Sequence, residues 1–150
     1  MEEMNDRNDM DNMDEKQRMM EKALKFYVEE VYGAQEFTVN GLMKPEFAGC
    51  SYKDKSFTIA FPVLRWETNR AGLMHGGIIA SAFDIVMGML NRYWAGGLNY
   101  TPTVNLETTY IRPIALGDKF IVTAKINYSG KTITHLYGEG YVKSTGKLAA

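Results

Sequence analysis

The chain has 150 residues, enough for one hydrophobic core and too few for two ordinary domains. Its net charge of -1 conceals a division: residues 1–15 hold seven acids against Arg7, whereas the rest holds 16 Lys/Arg against 11 Asp/Glu, a body of charge +5. An acidic leader on a mildly basic body suits an anionic ligand, and serves solubility equally well. Cys50 is the only cysteine, so an internal disulfide is excluded. No apolar run approaches the roughly 18 residues of a membrane span, and no basic n-region leads into an apolar h-region at the start. The expectation is a cytoplasmic protein with no membrane partner.

Residues 1–14 (MEEMNDRNDMDNMD) are polar and acidic and read as a mobile leader, leaving 15–150 as a single domain. Met20, Leu24, Tyr27, Val28 and Val31 then recur at helical spacing, predicting an amphipathic helix over 15–32 whose stripe is a packing face. The period changes to two at Phe57, Ile59, Phe61 and Val63, a strand that Pro62 closes or marks as an edge. Lys53-Asp54-Lys55 is the turn from a preceding strand around 46–52. The longest apolar helical segment runs from Gly76 to Tyr93 and stops at Gly96-Gly97.

Three further strands are predicted: 101–112, with Val104, Leu106 and Tyr110 on one face; 119–128, alternating through Phe120, Val122, Ala124, Ile126 and Tyr128; and 132–143, after a hairpin at Ser129-Gly130-Lys131. Short connections imply antiparallel pairing, so the fold class is α+β, one long helix packed on an antiparallel sheet.

The stretch NRAGLMHGGIIASAFD, Asn69 to Asp84, carries the chemistry. Two glycines at the start of a helix let a substrate approach free backbone N–H groups, where the dipole also favours negative charge. An oxyanion forming from a carbonyl would be stabilised there. His75-Gly76-Gly77 alone is equally well read as relief of crowding at a strand-to-helix corner. Asp84 tips the balance, because it shares its helix side with Ala80, Met87, Gly88 and Asn91, too apolar for ordinary solvent and small enough for another chain to approach. It lies seven residues beyond Gly77, roughly 10 Å along the axis, too far to serve a carbonyl held at its own helix N-terminus. A second, antiparallel copy of the helix across a twofold axis would bring its aspartate there, so a catalytic motif implies a dimer.

The spacing of Asn69, His75-Gly76-Gly77 and Asp84 resembles the hotdog-fold acyl-CoA thioesterases of the PaaI-like group, within the 4-hydroxybenzoyl-CoA thioesterase superfamily. The stretch TVNLETTYIRP, Thr103 to Pro113, followed by Gly117-Asp118, is similar to the same group, and the likeness covers about residues 45–148. It implies an antiparallel sheet wrapped around the central helix, here with an extra N-terminal helix, and a homodimer or dimer of dimers with sites shared between subunits. It further implies Asp84 as general base or nucleophile, the Gly76 N–H on the thioester carbonyl, His75 shaping that turn, and Asn69 orienting carbonyl or water. Thr103 would position water, and Gly77 would line the substrate. The hairpin Gly130-Lys131-Thr132 would touch the coenzyme A phosphates. The family pattern continues past Gly146-Lys147-Leu148 into a last strand, whereas this sequence stops at Ala150, so either the chain is truncated or its final strand is a stub.

Other readings are weaker. Gly130-Lys131-Thr132 ends like a phosphate-binding P-loop, but Lys125 stands where the first glycine belongs, in a hairpin rather than a strand-to-helix turn. His75 and His135 are the only histidines and no cluster has metal-ligand spacing, so no metal or other cofactor is expected. Trp66 and Trp94 have no basic stripe beside them, which argues for core or interface anchors over nucleic-acid stacking. A non-catalytic acyl-CoA-binding module on the same fold is the alternative to an enzyme. A hotdog dehydratase is a weaker rival, since that group's histidine and glutamate arrangement is missing.

Overall fold

The computed structural model describes residues 2–97 and 100–150. Its elements in chain order are α1 (Glu2–Phe26), continued by a π-helical turn (Tyr27–Tyr32), a short α2 (Val39–Leu42), β1 (Glu46–Ser51), β2 (Ser56–Pro62), a 3₁₀ turn (Arg65–Glu67), α3 (Gly76–Trp94), β3 (Lys119–Ser129), β4 (Thr134–Val142) and β5 (Lys147–Leu148). The strands form one antiparallel sheet in the order β1-β2-β3-β4-β5. The only departure from a meander is the passage from β2 to β3, which carries α3 across the sheet. This is the hotdog arrangement, a sheet curled around one long helix.

Alternation decides which face of the sheet meets α3. Phe57, Ile59 and Phe61 of β2 and Phe120, Val122, Ala124 and Ile126 of β3 are buried, and α3 answers with Ile79, Ala82, Phe83, Ile85, Val86, Met89 and Leu90. On β4 two inward positions between Leu136 and Val142 are glycines, because side chains of α3 and β3 fill the space a Cβ would need. A Cβ on Gly138 would sit 2.7 Å from the Met87 methyl, and one on Gly140 would overlap the Phe120 ring. The outer side of β1 is covered by α1. Met20, Leu24 and Val28 are buried, and the Gln17 side-chain amide donates to the Cys50 carbonyl (3.0 Å) and accepts from the Tyr52 N–H (2.7 Å), satisfying part of an edge strand.

Two predicted boundaries are corrected. The first helix begins at Glu2, not residue 15. No glycine or proline interrupts residues 2–32, and early acids complement a helix dipole. The predicted strand over 101–112 is irregular chain, with Val104 85% and Tyr110 54% exposed. An alternating pattern becomes a strand only where an edge offers partners. Here the outer edge of β4 is paired by β5 at Tyr141 and Val142, and Gly140 bonds Ala149 and Ala150. Of the 101–112 stretch only Ile111 and Arg112 reach it, donating to the Ala149 carbonyl at 2.7 and 3.0 Å. Trp94 packs against Tyr52 with ring centroids 5.1 Å apart, whereas Trp66 is half exposed.

Candidate active site

The loop from Leu64 to His75 sets the start of α3. Thr68 bridges to Met74, Asn69 donates to the Leu73 carbonyl (2.9 Å), and the His75 N–H donates to the Glu67 carbonyl (2.8 Å), so 67–75 closes on itself. Met74 then donates to Ile114 (2.8 Å) and Leu73 bridges to Ala115, which fixes the loop to the approach to β3. The Asn69 side-chain oxygen accepts from Ala71 (2.9 Å) and Leu73 (3.2 Å), leaving its amide nitrogen as a donor.

His75 caps the helix. Its Nδ1 accepts from the Gly77 N–H at 3.0 Å, which assigns the ring proton of the neutral imidazole to Nε2. Its carbonyl accepts from Ile78 (2.9 Å) and Ile79 (3.1 Å). Of the first-turn donors, those of Gly77 and Ile78 are therefore occupied, and the Gly76 N–H has no acceptor among the described residues. An unpaired N–H at the positive end of a 19-residue helix is an anion donor by its position.

Tyr110 completes this end, and the sequence reading had placed it only on a strand face. Its hydroxyl donates to the Gly76 carbonyl at 2.9 Å, and its ring lies where a Gly76 Cβ would meet it at 3.3 Å. An aromatic hydroxyl in a stretch that alternates around threonines carries no motif, so nothing local pointed to this contact.

The second group sits further along the same helix. Asp84 is exposed, and the Thr103 hydroxyl donates to its Oδ1 at 2.5 Å. Both line an open cavity of about 1090 Å³ between the outer edge of β4 and the 100–111 segment, with Met87 and Leu136 among its apolar walls. The β3–β4 hairpin lies at the same cavity, so Gly130, Lys131 and Thr132 face the space that Asp84 faces. One chain thus unites Asp84 with Thr103, and His75 with Gly77, while Asn69 lies on the loop before them with its side chain bonded to Ala71 and Leu73. The two groups remain apart: from Gly76 to Asp84 is eight residues of helix, about 12 Å at 1.5 Å per residue.

Glu67 was missed altogether. It is the one charged residue buried among the described residues, 0% exposed. The Leu64 N–H donates to its Oε2 at 2.7 Å, while Oε1 has no partner. Burial is the main cause that pushes its carboxyl up from the ordinary 4.5 to about 7, against the lowering effect of the Leu64 N–H. No group of three or more His, Cys, Asp and Glu side chains among the described residues is arranged to hold a metal ion, and no helix is long and apolar enough to cross a membrane.

A family model described as thioesterase superfamily matches residues 71–149, the stretch that holds Gly76, Asp84 and Thr103. Mouse acyl-coenzyme A thioesterase 13 is 32% identical over 84 residues, covering 56% of this chain and 59% of that protein, so the chain spans little more than half of that relative. The crystal structure of mouse thioesterase superfamily member 2 superimposes with a TM-score of 0.71 at 22% identity, covering 87% of this chain and 90% of that one. A Streptococcus mutans protein solved bound to acetyl-CoA superimposes with a TM-score of 0.61 at 15% identity, over 70% of this chain and 80% of the other. Both superpositions show the hotdog fold.

Proposed function

The chain belongs to the thioesterase superfamily, and on that premise we propose that it hydrolyses acyl-CoA thioesters to a free acid and coenzyme A. One observation carries the reading: a helix whose N-terminal N–H is open at Gly76 also holds, eight residues on, an exposed carboxylate bonded to a threonine hydroxyl. These are the two halves of an acyl-transfer site, an oxyanion donor and a base or nucleophile, on one rigid element. Their separation of about 12 Å means that they serve different substrates unless a second chain brings its own copy, antiparallel.

In the dimer we propose, the thioester carbonyl accepts from the Gly76 N–H, with the Asn69 amide beside it. Asp84 of the partner subunit takes the proton of an attacking water, or attacks directly to form a mixed anhydride that water then hydrolyses, and Thr103 of that subunit holds the carboxylate in place. The tetrahedral intermediate's negative oxygen is stabilised at the helix N-terminus and collapses with loss of the thiolate. Lys131 supplies positive charge to the phosphates of coenzyme A from the hairpin. The exposed apolar side chains Val104, Tyr110, Ile111 and Tyr137 support a face that another copy covers.

Hydrolysis over an acyl-CoA panel tests the activity: turnover is expected, and tight binding without turnover would make the protein an acyl-CoA-binding module. The shared site is tested by mixing Asn69→Ala and Asp84→Ala proteins through dissociation and reassociation. Each alone is expected to be nearly inactive. Random pairing makes about half the dimers mixed, each with one doubly damaged and one intact site, so about a quarter of all sites recover. No recovery after demonstrated exchange would rule out the two-chain site.

A further inference from the structure

Glu67 has no place in that chemistry, yet the fold buries it completely beneath the turn that the chemistry uses. We propose that Glu67, held as a neutral acid, is the positioning residue for the α3 N-terminal turn, and that its ionisation loosens that turn. The inference rests on the hydrolase reading for its catalytic consequence, and on geometry alone for its structural one.

Four hydrogen bonds make the connection. The Glu67 carboxyl accepts from the Leu64 N–H at 2.7 Å and its own N–H donates to the Leu64 carbonyl at 3.1 Å, a reciprocal clasp at the exit of β2. The Glu67 carbonyl accepts from the His75 N–H at 2.8 Å, and His75 in turn caps Gly77 through Nδ1 at 3.0 Å. The path from the buried acid to the Gly76 amide therefore runs through backbone and one imidazole, with no flexible link. Removing the carboxyl frees the Leu64 N–H and leaves the residue that orients His75 held to Leu64 by one backbone bond.

A neutral acid suits this position and a carboxylate does not. Oε1 is buried without a partner, and an ionised oxygen left so is costly unless it is paired or hydrated. The titratable groups on the surrounding elements are Arg65, Arg70 and His75 on the same loop, with Asp118 and Lys119 at the head of β3. None bonds to Glu67: Lys119 pairs with Glu46, and Asp118 holds Ser144 and the Lys119 N–H. Burial of the carboxyl and the Leu64 bond are the two influences on its titration, with no cation among them. Once the proton leaves, the nearest relief is water, and water reaches Oε1 only if the 64–75 loop opens.

The test uses the full chain as wild type, Glu67→Gln and Glu67→Ala. Glutamine keeps the acceptor for Leu64 and cannot ionise. Hydrogen exchange over 64–79 and acyl-CoA hydrolysis are each followed from pH 6 to 8.5. Wild-type protection in this loop is expected to fall about tenfold or more across that range beyond the intrinsic pH effect, and Glu67→Gln protection to change less than about threefold. In parallel, kcat of the wild type falls on the alkaline side while that of Glu67→Gln does not. Glu67→Ala is expected to lose about tenfold in kcat at pH 6, where wild-type Glu67 keeps its proton, and less at alkaline pH, with KM little changed. Wild-type protection and kcat in Glu67→Ala would overturn the positioning role, and a Glu67→Gln profile that follows wild type would overturn the role of ionisation. If wild type hydrolyses no acyl-CoA, the hydrolase reading fails, and the exchange data still decide the clasp.

Discussion

Replacing Gly76 by alanine should move stability and activity independently. The backbone at Gly76 is not in the left-handed region, so alanine adopts it without strain. Its methyl carbon would lie 3.3, 3.4 and 3.5 Å from the Tyr110 Cζ, Cε1 and hydroxyl, a few tenths of an ångström too close. The neighbour is a side chain that is 54% exposed and free to swing outward, so relief costs little beyond its 2.9 Å bond to the Gly76 carbonyl. That bond is solvent-exposed and worth on the order of 0.5–1 kcal/mol, while alanine gains up to about 1 kcal/mol over glycine in a helix. The net change in stability is therefore within about 1 kcal/mol, visible as a urea midpoint close to wild type. Activity has no such compensation, because the methyl group adds bulk beside the N–H that the thioester carbonyl would approach in the proposed site. Loss of one oxyanion donor is worth about 10²–10³ in kcat, and partial obstruction should cost at least about tenfold. The assay is thiol release from an acyl-CoA the wild type hydrolyses, beside urea denaturation of both proteins. A Gly76→Ala protein with full kcat would refute the close approach, and one destabilised by several kcal/mol would refute the account of Tyr110.

Asp84→Asn keeps the shape of the side chain and its contact with Thr103 but removes the base, so kcat should fall by about 10² or more with substrate binding retained; steady-state kinetics with a binding measurement check this. Glu67 also predicts a stability profile. Its folded value of about 7 lies above the ordinary 4.5, so neither state is ionised well below pH 4.5 and no penalty exists there. Between those values the unfolded chain ionises first, and folding loses about 1.4 kcal/mol per pH unit, at most about 3 kcal/mol, levelling off above pH 7. Glu67→Gln should lack this loss, so its stability relative to wild type should rise between pH 4.5 and 7.5 in urea titrations, and a constant difference would refute it.

Much of this fold is legible because burial repeats with a period. The alternation of Phe57, Ile59 and Phe61, and of Phe120 through Ile126, leaves one register that hides every apolar side chain, and the strands follow it. The helix from Gly76 is legible for the same reason at a period of 3.6. The Asn69, His75-Gly76-Gly77 and Asp84 spacing stands out in the sequence because glycines and an acid are poor choices for an apolar helix. What escaped has no period. The same alternation at Val104, Leu106 and Tyr110 produced no strand, because pairing depends on an edge elsewhere in the chain. Glu67 escaped because it sits among Arg65, Trp66, Thr68 and Asn69, a polar loop by composition, and its burial is created by the closure of 67–75 onto Ile114 and Ala115.

The irregular stretch after α3 is what ties the two halves of the site together. Thr103 meets Asp84 and Tyr110 meets Gly76, so this segment returns along the helix from its middle to its N-terminus. Seven residues of extended chain reach at most about 25 Å, so this segment spans the about 12 Å of helix between the two contacts without full extension. The Gly76 N–H and the Asp84 carboxylate, by contrast, are fixed on one rigid helix at a distance that no side-chain rotation closes. A twofold partner laid antiparallel along that helix would meet an acid where it offers an amide and an amide where it offers an acid. Both active sites of such a dimer would then be built by the same contact, and a single chain, however well folded, would hold two half-sites and no whole one.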